Sequence, residues 1–121
     1  MNQIQTESLQ EMPLNLGSSD FDAFVLEAID QTLTKLGISV KQVFYSFLEN
    51  HYRLDKEDIP SRIVEFDNAL GKTFGTSASL IEIDIMKNLR EKVPLFNYLL
   101  ESSDLSLAAY LTSMKQHLEN F

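Results

Sequence analysis

Residues 79–85 read SLIEIDI, and the fold of the whole chain turns on how that tract is taken. Apolar and polar side chains alternate through it, which is the period of a half-buried strand. The wider window from Ala78 to Lys92 argues for a helix instead. It keeps Glu82, Lys87 and Glu91 within reach of one another, and it carries Leu80, Ile81, Met86 and Leu89 on toward Val93, with Ile83 and Ile85 interspersed. A lone strand would also have no partner, because no second alternating tract occurs. The segment therefore reads as a helix, and with it the chain becomes all-α.

On its N-terminal side the same period recurs. Phe21, Phe24, Val25, Ala28, Ile29, Leu33 and Leu36 fall on one face of a helix that opens at Ser19 or Asp20 and stops at Gly37. Ser39 then predicts a cap, with Gln42 as its capping-box partner and Val40, Val43, Phe44, Phe47 and Leu48 as the buried stripe of a second helix that frays near His51. Asp55, Glu57 and Asp58 suit a helix start, and Pro60 is tolerated only in the first turn of the third helix. That helix buries Ile63, Phe66, Leu70 and Phe74 and ends at Gly75. Beyond Pro94, Leu95 to Leu100 make a short apolar helix or turn, and Ser102, Ser103 or Asp104 caps a last helix from about Leu105. Its seam of Leu107, Leu111, Met114 and Leu118 steps by four, three and four. The expected architecture is one compact all-α domain of five to six helices, with orthogonal or bundle-like packing over 20–121, behind a flexible arm over 1–19.

Charge and composition bound the function. Eighteen acidic against ten basic residues give a net charge of -8, and there is no cysteine. Thiolate metal sites, disulfides and cysteine nucleophiles are excluded together. A polyanion such as DNA is repelled unless the cations cluster, and these do not. The third helix offers Arg62, Asn68 and Lys72 to a groove, but Glu65 and Asp67 neutralise that face. The first basic residue is Lys35, which argues against a secretory or transit segment before it, and the longest apolar run, Leu107 to Leu111, falls far short of the about 18 residues that cross a bilayer. The expectation is a cytoplasmic protein without nucleic-acid or membrane partners.

Catalytic motifs fail on spacing. Gly71-Lys72-Thr73 resembles the end of a phosphate loop, yet Phe66 stands where a glycine is required. Asp20, Asp22, Asp67, Glu82 and Asp84 begin no calcium loop. His51 and His117, the two imidazoles, read as solvated residues near helix ends. No enzyme and no cofactor is expected. Tyr45, placed on the face opposite the second helix's stripe, and Tyr52 near its end are candidate contact residues, as is the final seam.

The runs LEAIDQTLTKLG (Leu26–Gly37), VFYSFLENHY (Val43–Tyr52), KEDIP (Lys56–Pro60) and FDNALGKTFGTSASLIE (Phe66–Glu82) resemble a small archaeal helical family, the Nitrosopumilus output domain, over residues 21–93. The resemblance implies an output or accessory module of regulatory proteins. It carries no catalytic set. Residues 94–121 extend beyond it. The functional expectation is a non-enzymatic protein–protein interaction or regulatory module, with the C-terminal seam of Leu107, Leu111, Met114 and Leu118 packing on its own domain or pairing two copies. The alternative is an apolar ligand or lipid held in a cavity between helices, and behind it a nucleic-acid accessory factor.

Overall fold

The computed structural model describes residues 18–92 and 106–119. They form α1 (Ser18–Leu36), α2 (Ile38–Tyr52), a 3-10 segment (Lys56–Arg62), α3 (Ile63–Phe74), a 3-10 turn (Gly75–Ser77), α4 (Ala78–Lys92) and α5 (Leu107–Glu119). No strand occurs among the described residues. The tract 79–85 lies inside α4, where Ala78, Ile81, Ile85 and Leu89 point into the core while Leu80 and Ile83 point out. Half of the apparent alternation is thus the buried stripe of a helix, and the other half is surface.

The central element is α1. It packs most extensively against α4, next against α2, and then against the 3-10 segment. It buries Phe21, Val25, Ala28, Ile29, Thr32 and Leu33, so the three-and-four stripe holds as far as Leu33, whereas Leu36 is exposed. α1 also begins two residues before Asp20, at Ser18.

Gly37 is the break between α1 and α2. Its φ of 124° is open to glycine and strained for any L side chain, and its amide closes back on Thr34 at 3.0 Å. A Cβ placed there would meet Val40 only at 3.7 Å, so the requirement for glycine is conformational rather than steric. The cap expected at Ser39 is corrected: Gly37 is the N-cap, no side chain caps it, and Ser39 lies within α2. At the other end Arg53 adopts the left-handed conformation, and Leu54 N–H reaches back to Leu48 O at 3.1 Å. This turn drives Leu54 into the core.

Pro60 lies in the 3-10 segment rather than in the first turn of α3, which starts at Ile63. Ile59 beside it is fully buried. Phe44 joins α2 to α3 through an edge contact with Phe66 (centroids 5.9 Å) and a tilted one with Phe74 (5.5 Å). α5 opens at Ser106, whose hydroxyl accepts the Ala109 N–H at 3.1 Å, a true side-chain cap. The caps expected at Ser102, Ser103 and Asp104, the short element after Pro94 and residues 1–17 of the arm lie outside the described residues, while 18 and 19, expected in the arm, begin α1.

Candidate functional site

Two features distinguish the surface: a polar clamp on one side of α2 and an uncharged face on its other side. The clamp centres on Asp30 of α1. Its carboxylate accepts hydrogen bonds from Lys41 Nζ (3.3 Å), Tyr45 OH (3.1 Å) and Lys56 Nζ (3.4 Å). Lys41 also donates to Thr34 Oγ1 at 3.0 Å, and the Lys56 ammonium stands 5.3 Å from the centroid of the Tyr45 ring. One carboxylate thereby ties α1 to α2 and to the 3-10 segment. Burial pushes the Asp30 carboxyl up, but the Lys41 bond, the Lys56 charge and the Tyr45 and Lys56 bonds outweigh it, and the net shift is downward. Tyr45 moves the other way: burial, then the Asp30 charge and hydrogen bond, raise its phenol far above the ordinary value. It remains a neutral donor throughout the physiological range.

Beside the clamp, Ala23, Leu26, Glu27, Asp30, Gln31 and Lys56 line an open cleft of about 520 Å³. It is open to solvent rather than enclosed between helices, so it is not the interhelical cavity that an apolar ligand would need. Farther along α1, Thr32 is buried. Its hydroxyl donates to Ala28 O (2.9 Å) and accepts from Asn88 Nδ2 of α4 (2.8 Å). Lys92 extends this α1–α4 link to Gln31 Oε1 (3.2 Å) and Glu27 Oε1 (3.7 Å).

Arg62, read from the sequence as a cation available to a groove, is engaged elsewhere. Its guanidinium forks onto Glu65 and donates to the carbonyls of Tyr52 and Arg53, both at 2.9 Å, capping the end of α2. The bond to Arg62 holds the Glu65 carboxyl below its ordinary value.

The expected contact residues separate. Leu107, Leu111, Met114 and Leu118 are all buried against α3 and α4, with Leu111 the most exposed of them at 6%. The seam packs within the domain. Tyr45 is not on an outer face: it is half-buried against the core and belongs to the clamp. Tyr52 is half-buried too, edge-on to Phe47 at 5.7 Å. His51 is exposed and stacks on Phe47 at 4.6 Å, while His117 is half-buried on α5. Among the described residues no three His, Asp or Glu side chains gather as metal ligands.

The second feature was hidden in the stripe assigned to α2. Val43 is 69% exposed, Ile38 61% and Val40 38%, and Leu36 at the end of α1 adds 41%. Val40 and Val43 are therefore corrected from core to surface. Around them Ser39, Gln42, Ser46 and Asn50 are exposed and uncharged. Residues 31–48 contain no Asp or Glu, although 18 such residues occur in the chain. A solvent-facing helix surface normally carries charge, and this one is apolar or amide and hydroxyl in character.

No family model, curated protein or solved structure matches the chain. None of the helices described is long and apolar enough to cross a membrane.

Proposed function

We propose that this chain is a non-enzymatic interaction module, a single domain of five to six helices that acts in the cytoplasm by protein–protein contact through the outward face of α2. The observation that carries this reading is the exposure of Val40 and Val43 on one side of α2, with Leu36 and Ile38 also exposed around the Gly37 turn, in an acid-free stretch of an otherwise acidic chain. Such a face costs solubility unless it is covered for part of the time. A regulatory or accessory role agrees with the resemblance of residues 21–93 to the Nitrosopumilus output domain. The Asp30 clamp fits as scaffolding, since it fixes α2 on α1 from the inner side and leaves the outer side clear. Binding of an apolar ligand draws no support from the cleft, and a nucleic-acid role draws none from α3, whose Arg62 is already committed to Glu65 and two carbonyls.

A photo-crosslinking residue placed at position 43, and in a second variant at position 83 on the outer face of α4, tests the reading in the native cell. A protein adduct at 43 and none at 83 is expected. Adducts at 83 alone, or equal yields at both, would overturn it.

A further inference from the structure

The open cleft of about 520 Å³ runs along the stripe of α1 that faces away from the core, and its wall is Lys56 of the 3-10 segment. No residue of α2 lines it, so its occupancy is a separate matter from the α2 face. Ala23 is exposed and Leu26 only half-buried, which leaves apolar surface on the floor. The Lys56 ammonium reaches Asp30 at 3.4 Å, and its side chain is still 43% exposed. We infer that residues 11–16 (EMPLNL) lie back along α1 as an extended strap in this cleft, with Leu14 seated between Ala23 and Leu26 and Glu11 beside Lys56.

Pattern gives the first reason. Met12, Leu14 and Leu16 alternate with Pro13 and Asn15, the period that sets three apolar side chains on one face of an extended segment. Pro13 also holds Met12 away from helical angles. Reach gives the second. The chain enters α1 at Ser18, and Gly17 before it suits a reversal. Counted back from Gly17, three extended residues cover about 10 Å, the height above Ser18 of the step from Ala23 to Leu26. Six cover about 20 Å, close to the height of Asp30, where Lys56 meets the helix. Leu14 and Glu11 stand at those two positions. Charge gives the third. Glu11 is the one charged residue in 8–17, and Lys56 is the one cation among the residues that line the cleft. The acids of the lining already have partners, Glu27 in Lys92 at 3.7 Å and Asp30 in Lys41 and Lys56. The cleft is thus a seat for the chain's own arm rather than for a free ligand.

The absence of cysteine makes a test in the full chain available. Ala23→Cys places a thiol on the floor of the cleft, and a reference variant, Leu80→Cys, places one at an exposed site on α4. Each is treated with a maleimide reagent, with and without Leu14→Asp in the same chain. Leu14→Asp should speed the reaction at position 23 by roughly tenfold, because it releases the strap that covers the thiol, and should leave the rate at position 80 unchanged. Glu11→Lys should speed position 23 by a smaller factor. A rate at position 23 that Leu14→Asp does not alter, or an equal acceleration at both positions, overturns the inference. So does protection that fades on dilution, since a strap in its own cleft protects independently of protein concentration. An unaltered rate with Glu11→Lys overturns the contact with Lys56.

Discussion

The stripe of α5 and the stripe of α2 look alike as sequence and end in opposite places. Leu107, Leu111, Met114 and Leu118 all reach the core, whereas Val40 and Val43 stand in solvent on a helix whose Phe44 and Leu48 are buried. The difference lies in width. The α5 residues occupy one narrow arc, which α3 and α4 cover between them. The apolar residues of α2 spread from Val43 through Val40 and Phe47 to Leu48, about a third of the helix circumference or more. α1 and α3 cover only the inner part of that arc. Periodicity tells which residues share a face, and the neighbours decide how much of the face is covered.

The largest effects separate the two stripes outright. Leu111→Asp places an unpaired carboxylate in the core and should cost about 4 kcal/mol or more, leaving little folded protein in a circular-dichroism melt. Persistence of a cooperative melt with loss of association alone would mean that the α5 seam acts between chains. Within α4 the same contrast holds at smaller scale. Leu89→Ala should lose about 2–5 kcal/mol in urea unfolding and Leu80→Ala no more than about 0.5 kcal/mol, because only the first side chain is buried.

Polar links rank next. Asn88→Ala removes the donor to the buried Thr32 hydroxyl and should cost about 1–2 kcal/mol. Asp30→Asn should cost about 1 kcal/mol near neutral pH, a modest figure because the carboxylate is partly exposed. The pH dependence has a definite sign. Asp30 titrates lower in the folded chain than its ordinary 3.8, so its stabilisation is present above that value and is lost as pH falls through the folded one. The gap between wild type and Asp30→Asn should narrow as acid denaturation is followed below about pH 4, and a gap that widens there would contradict the clamp. The smallest stability effect is expected at Val43→Asp, within about 0.5 kcal/mol of wild type, while the proposed contact through this face should be lost.

Much of the scaffold was legible from residue order. Gly37 and Gly75 mark stops that only their positive φ requires, and the charges around SLIEIDI correctly turned a strand pattern into a helix. The clamp was not legible, because Asp30, Lys41, Tyr45 and Lys56 meet only after the chain reverses at Gly37. A signal was present in the spacing: Asp30 lies seven residues before that glycine, and Lys41 and Tyr45 lie four and eight after it. A helix pair folding back there brings those heights together. Tyr45 was misplaced for the same reason, since its polar tip is satisfied by a partner from another helix and not by water.

The central claim is that the α2 stripe is surface and the α5 seam is core. Single cysteines in this cysteine-free chain measure it most directly, through the rate at which Val43→Cys and Leu111→Cys react with a thiol reagent under folding conditions, at concentrations too low for association. The thiol at position 43 should react at the rate of an unfolded one, and the thiol at position 111 should be protected by orders of magnitude until denaturant is added. Comparable rates at the two positions, or protection at position 43, would contradict the account.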